Sequence, residues 1–168
     1  DLANLSDRQL LLDLLEGVLM AASGSGSAHV ELLRELAEVS DEVGNGAKAL
    51  SYYAQLLRRQ PNDETALDYI RKHIKEHSAQ RSVIAELTRA AEAIDDPSIK
   101  RELTRQLATI AEQELADLDF AISNWRQLML LSPDDPEPRQ ELNRLLRSSE
   151  RWHDLEALLL SEISRCTE

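Results

Sequence analysis

The chain has 168 residues, of which 31 are acidic and 19 basic, giving a formal net charge of −12. Nucleic-acid binders carry a basic stripe that displaces phosphate counterions, and anionic membranes attract cations, so this balance speaks against both partners. The longest apolar run, Val18 to Ala22, falls far short of the roughly 20 residues a membrane-spanning helix needs, which excludes membrane insertion.

A single cysteine, Cys166, leaves no internal disulfide. A start at Asp1-Leu2-Ala3 reads as a piece cut from a longer protein. The lack of a leader pattern therefore does not fix the parent's compartment, for which the cytoplasm is favoured. Leu and Ala dominate the apolar residues, beside one Phe, two Trp and three Tyr. Leu, Ala, Glu, Arg and Gln lose little freedom in a helix, and the residues that favour strands are sparse, so the fold class is all-α.

In chain order, a first helix spans about residues 7–22, with Leu14, Val18 and Ala21 on one stripe. An outer stripe of Leu10, Leu11, Leu12 and Leu15 is expected to be partly uncovered. Residues 23–27 alternate Ser and Gly, a short flexible connection. The second helix carries Leu33, Leu36 and Ala37 and ends at Gly44-Asn45-Gly46, which supplies left-handed backbone for a turn. The third carries Ala49, Tyr53 and Leu56, then stops before Pro61.

Leu67, Ile70 and Ile74 mark a fourth helix, Val83, Leu87 and Ala90 a fifth. Leu103, Leu107, Ala108 and Ala111 mark a sixth, and Ala121, Trp125 and Leu128 a seventh. Leu142, Leu145 and Leu146 mark an eighth, and Leu159, Ile163 and Cys166 the last, which Trp152 opens as a packing residue. The triplets that begin at Leu14, Ala49, Val83, Ala121 and Leu159 keep the helical spacing i, i+4, i+7, and the sets between them are amphipathic helical stretches. Asn62-Asp63, Asp95-Asp96 and Asp134-Asp135 flank Pro61, Pro97 and Pro133 and are expected to cap the helices that follow.

Two helix types, A and B, alternate, with one B-type helix in front. The first positions of the B-type triplets lie 35, 34, 38 and 38 residues apart. Periods in this range signal a repeat architecture.

Ala49-Leu50-x-x-Tyr53-x-x-Leu56-x-x-x-x-Pro61-Asn62-Asp63 and Ala121-Ile122-x-x-Trp125-x-x-Leu128-x-x-x-x-Pro133-Asp134-Asp135 resemble the second half of a tetratricopeptide repeat. Leu33-x-x-Leu36-Ala37 resembles the first half. The alternation of strong with degenerate units is similar to arrays in large bacterial proteins of that family. Arg71 and Leu146 stand where the family has a small residue, and the third unit carries an extra residue in its A-to-B turn.

The resemblance implies a right-handed α-α superhelical solenoid of about four helix pairs plus the N-terminal helix. Its bounds are 1–27 for the leading helix and turn, then 28–61, 62–97, 98–133 and 134–168 for the four repeats. It also implies that the A helices line a concave groove. The inward positions would be Arg34, Glu38, Asp68, Lys72, Lys75, Arg105, Thr109, Asn143 and Arg147. That set is richer in cations than the whole chain, and suits an acidic or carboxylate-bearing peptide of another protein. Chaperone-tail binding is not expected, since Arg34 and Glu38 replace the Lys and Asn of that clamp. The N-terminal helix offers a route to a homodimer. No cofactor is implied.

One catalytic pattern competes. His73-Ile74-Lys75-Glu76-His77 spells H-x-x-E-H, in which two His one helical turn apart hold zinc and the Glu acts as base. The third ligand would have to be a downstream carboxylate, which an acidic helical chain offers many times by chance, so paired histidines on an A helix are the preferred reading, and the chain is read as a binding scaffold, not an enzyme.

Overall fold

A computed structural model of the chain describes residues 2–21, 26–77 and 80–166, with side chains at 6–21, 26–74 and 83–164. Regular structure among the described residues is helical throughout. The helices are α1 (Leu2–Ala21), α2 (Ser27–Glu42), α3 (Gly46–Leu57), α4 (Glu64–His77), α5 (Gln80–Glu92), α6 (Pro97–Gln113), α7 (Leu118–Leu131), α8 (Glu137–Ser148) and α9 (Trp152–Cys166). Among the described residues, no helix is long and apolar enough to cross a membrane.

The helix ends follow from local chemistry. Gly44 adopts φ +78° after α2, backbone that a Cβ would strain. Asn45 then caps α3, its side chain accepting the Lys48 backbone N–H at 3.2 Å. The expected acidic caps are all made. Asp63 accepts the Ala66 N–H at 2.9 Å, Asp96 those of Ser98 and Ile99 at 2.8 and 3.2 Å, and Asp135 that of Glu137 at 3.0 Å. Each satisfies a donor that a helix start leaves without an intrahelical partner. The α6–α7 turn spans 114–117, one residue longer than 43–45 or 149–151, and Ala116 takes φ +50° within it.

The chain divides into two compact units, Asp1–Leu103 and Thr104–Glu168, with the boundary inside α6. In the first, α1 packs on α2, α2 on α3, and α3 on both α4 and α5. Leu12, Leu36 and Val39 form a core cluster with Leu15, Leu19, Leu32, Val43 and Tyr52 around it. Leu33, Leu36 and Ala37 of α2 are buried, as are Leu67, Ile70 and Ile74 of α4 and Val83, Leu87 and Ala90 of α5. Ala49, Tyr53 and Leu56 of α3 are 0, 4 and 0% exposed. The Tyr53 and Tyr69 rings meet 4.4 Å apart between α3 and α4.

A polar contact repeats along this unit. Glu16 of α1 accepts from the Tyr52 hydroxyl of α3 at 2.8 Å, and Ser51 of α3 donates to Glu86 of α5 at 3.2 Å. Residues 16 and 51, like 52 and 86, are one repeat apart, so α1 stands to α3 as α3 stands to α5. In the second unit α7 packs on α8 and α8 on α9. Leu107, Ala108, Ala111, Ala121, Trp125, Leu128, Leu142 and Leu145 are buried there. Leu146 is buried too, despite standing where the repeat pattern has a small residue.

Three expectations need correction. In α1, Leu12 is buried and Leu15 and Leu19 pack on the core cluster, so Leu12 and Leu15 do not belong to the outer stripe. The exposed large apolar residues of α1 are Leu10, Leu11, Leu14, Val18 and Met20. In α9 the buried pair is Leu155 and Leu158, whereas Leu159 is half-buried and Ile163 exposed; the Cys166 side chain lies outside the described residues. Trp152 is 58% exposed instead of packed between helices. Both terminal helices carry leucine on every face, so their phase cannot be read from apolar spacing alone.

Burial sets the cost of truncation. Leu36→Ala should lower unfolding free energy by about 2–5 kcal/mol, the range for a fully buried leucine. Leu14→Ala, on the exposed side of α1, should stay within about 0.5 kcal/mol of the parent. Urea denaturation followed by circular dichroism measures both.

Candidate interaction surface

The A-type helices α2, α4, α6 and α8 carry the residues nominated for a groove, and the structure assigns two of the cations a different task. Arg34 donates from Nη2 to Asp63 Oδ2 at 2.7 Å and from Nη1 to Glu31 Oε2 at 2.8 Å. Asp63 is the residue that caps α4 through its other oxygen, Oδ1. The second unit repeats the device. Arg105 donates from Nη2 to Asp135 Oδ2 at 3.3 Å and from Nε to Glu137 Oε2 at 2.8 Å, and Asp135 Oδ1 caps α8.

In each case one carboxylate holds the start of the next A helix and also receives a guanidinium from the preceding A helix. The Asp63 and Glu31 hydrogen bonds push the Arg34 guanidinium pKa further up. Arg34 and Arg105 are thus charge-balanced clamps between successive helix pairs.

The remaining nominated residues are spread over the two units. Glu38 and Lys72 are exposed, and Asp68 is exposed while accepting from Arg71 at 2.9 Å. The Lys75 side chain lies outside the described residues. Thr109 donates its hydroxyl to the Arg105 carbonyl at 3.1 Å within α6. Asn143 Oδ1 accepts from Arg147 Nε at 2.5 Å. Among the nominated residues whose side chains are described, the signs are mixed, and the exposed cations are Lys72 in the first unit and Arg147 in the second.

The H-x-x-E-H segment lies on α4. His73 stacks on Tyr69 with ring centroids 5.7 Å apart, and Tyr69 donates its hydroxyl to Asp41 at 3.1 Å. The ring faces Gly46 so closely that a Cβ there would sit 3.1 Å from His73 Cε1. A glycine at the first position of α3 is what admits the imidazole. His73 is thus engaged in packing between α3 and α4; the Glu76 and His77 side chains lie outside the described residues.

Further ties between helix pairs were not anticipated from the sequence. Arg58 Nη2 donates to the Ala93 carbonyl at 3.0 Å, Arg144 to Glu112 at 2.7 Å, and Arg126 to Asp154 at 2.7 Å. Arg151 also donates to Asp154, at 2.8 Å; Arg126 first and Arg151 second hold that carboxyl below its ordinary range. For Arg144 and Arg126 the signal that could have found them is an acid about one repeat away in sequence; the Arg58 contact, made to a backbone carbonyl, leaves no such signal. Family models, curated proteins and solved structures contain no match to this chain.

Two measurements follow. A double-mutant cycle on Arg34→Ala and Asp63→Asn, the latter keeping an acceptor for the α4 cap, should return a coupling of about 1–2 kcal/mol. The second concerns Glu16, whose carboxyl is held below 4.5 by hydrogen bonds from Lys48 and then Tyr52. A carboxyl with a lowered folded-state pKa stabilises fully above its unfolded value and loses that effect as pH falls through the folded one. Glu16→Gln should therefore cost roughly 0.5–1 kcal/mol at pH 7, the scale of a partly exposed pair. The difference should close progressively below about pH 4.5 in urea melts.

Proposed function

We propose that this chain is a protein-interaction scaffold of the tetratricopeptide type: helix pairs stacked in a right-handed superhelical solenoid whose A helices offer a concave polar surface to a peptide or helix of another protein. The observation that carries the reading is the repeated clamp. The Arg–Asp contact that joins one A helix to the start of the next occurs as Arg34–Asp63 and again as Arg105–Asp135. A chain that reuses one joint between successive pairs suits a nearest-neighbour array, in which each pair covers the next one's apolar stripe. Such arrays present extended surfaces, and their usual chemistry is recognition through exposed side chains.

The binding face on this reading includes Glu38, Asp68 and Lys72 in the first unit and Asn143 and Arg147 in the second. Arg34 and Arg105 contribute rigidity and not charge. Preference for an acidic peptide therefore rests on Lys72 and Arg147, and is weaker than the bare count of cations implies. No catalytic step is assigned. A second reading, a spacer or self-assembly segment of a longer array, is favoured by the uncovered apolar residues of α1 and α9.

The test is peptide-array screening followed by calorimetry. A segment selected from the array should bind saturably, and Lys72→Glu or Arg147→Glu should weaken it about three- to tenfold by removing a rim charge while leaving the melting temperature unchanged. Full affinity in both variants would rule out this face.

A further inference from the structure

Arginines elsewhere in the chain hold carboxylates remote in sequence: Arg34 holds Asp63, Arg126 Asp154, Arg144 Glu112 and Arg151 Asp119. Arg58 and Arg59, directly after α3, differ. Arg58 donates to the Ala93 carbonyl at 3.0 Å, and neither arginine is paired with a carboxylate among the described residues. Both line one cleft, which lies between the start of α2, the end of α3 and the turn from α5 to α6. The cleft is inside the first compact unit.

Its floor is apolar, with Leu33 and Ile94 buried. Arg58, Arg59, Gln55 and His29 on its walls are half-buried, whereas Asp95 and Asp96 are exposed. Asp96 is already engaged, since its Oδ1 caps α6. The cations therefore stand deeper than the acids. Burial first and Arg59 second hold the His29 imidazole below its ordinary pKa, in line with a positive field at the inner end.

The walls also hold unmet hydrogen-bonding capacity. Four buried side-chain polar atoms among the described residues have no hydrogen-bond partner, and His29 Nδ1 and Arg58 Nε are two of them. The Gln55 amide makes no hydrogen bond either. Buried polar groups are ordinarily satisfied, so their concentration at one cleft points to a group that completes it.

We propose that this cleft takes a single carboxylate on a short apolar stem, with the carboxylate against the Arg59 guanidinium beside Arg58 and Gln55, and the stem over Leu33 and Ile94. A guanidinium fork matches the two oxygens of a carboxylate, and Arg59 has its donors uncommitted. Asp95 and Asp96 at the rim limit the charge to one, because a dianion such as phosphate meets them as like charges. At about 250 Å³ the cleft is smaller than the roughly 300 Å³ at which pockets for drug-sized ligands begin, so it holds a group the size of one side chain. A glutamate side chain of a partner protein and a free short-chain acid share that chemistry. The cleft has no residue in common with the A-helix surface of the proposed function, and each stands or falls alone.

The test is a chemical-shift titration of the whole chain at low salt with sodium butyrate, the blocked tripeptide acetyl-Ala-Glu-Ala-amide, its Gln counterpart and inorganic phosphate. Butyrate should move the Arg59 and Gln55 side-chain signals and those of His29 along one saturable curve. Arg59→Gln should weaken it about tenfold, the scale of one lost charged hydrogen bond, with signals outside the cleft unchanged. Arg147→Gln, the same charge change on the A-helix surface, should leave the affinity as it was. Binding of the Glu tripeptide to the same signals makes a protein side chain a source of the group, and binding of butyrate alone makes the source a free acid.

No saturable shift with either carboxylate would overturn the proposal. Equal affinity in Arg59→Gln would do the same, as would phosphate or the Gln tripeptide binding as well as its carboxylate rival. An affinity lost in Arg147→Gln and kept in Arg59→Gln would move the carboxylate to the A-helix surface.

Discussion

The structure rests on one constraint: a helix of this chain has more apolar surface than its own hairpin partner can cover. α3 shows it directly, since it packs on α2, α4 and α5. Its Ala49, Tyr53 and Leu56 leave water only because helices lie on more than one side. Burying a large apolar side chain contributes about 1.5–3 kcal/mol, whereas an exposed ion pair contributes about 0–1, so packing between adjacent helices decides stability and the polar contacts tune it. The consequence is local. Each helix depends on the helices packed on it, and where no described residue covers an apolar stripe, as at Leu14 and Val18 of α1, that stripe is exposed.

The polar contacts set the register between pairs. Asp63 and Asp135 each divide their two oxygens between a helix cap and an arginine from the preceding A helix. A cap fixes where the next helix begins, and the arginine fixes where that beginning sits on the previous one. Losing the acid would therefore free two groups at once, a backbone N–H and a guanidinium. Charge serves structure here, because both guanidiniums are held by carboxylates.

The helices and their caps were legible in the sequence because they rest on local chemistry. The stripe Ala49, Tyr53, Leu56 has one clear phase, and Asp-rich turns beside Pro61, Pro97 and Pro133 mark the next starts. The phase of α1 and α9 was not legible: Leu10, Leu11, Leu12, Leu14 and Leu15 spread over more than half of the helix circumference, and so do Leu155, Leu158, Leu159 and Leu160. Which face is inner depends on the neighbour present. Arg34 and Arg105 read as groove cations because Asp63 and Asp135 are distant in sequence and meet them only after folding. The packing of His73 was not legible either, since nothing local shows that its ring stacks on Tyr69 and faces Gly46.

Native-state hydrogen exchange measured residue by residue tests the account most directly. If each helix is held by its neighbours in sequence, amide protection should be greatest in α3, which has helices on several sides, and should fall off toward α1 at one terminus and α9 at the other. A single uniform protection level from α1 to α9 would contradict it, because that is the mark of one core shared by all helices.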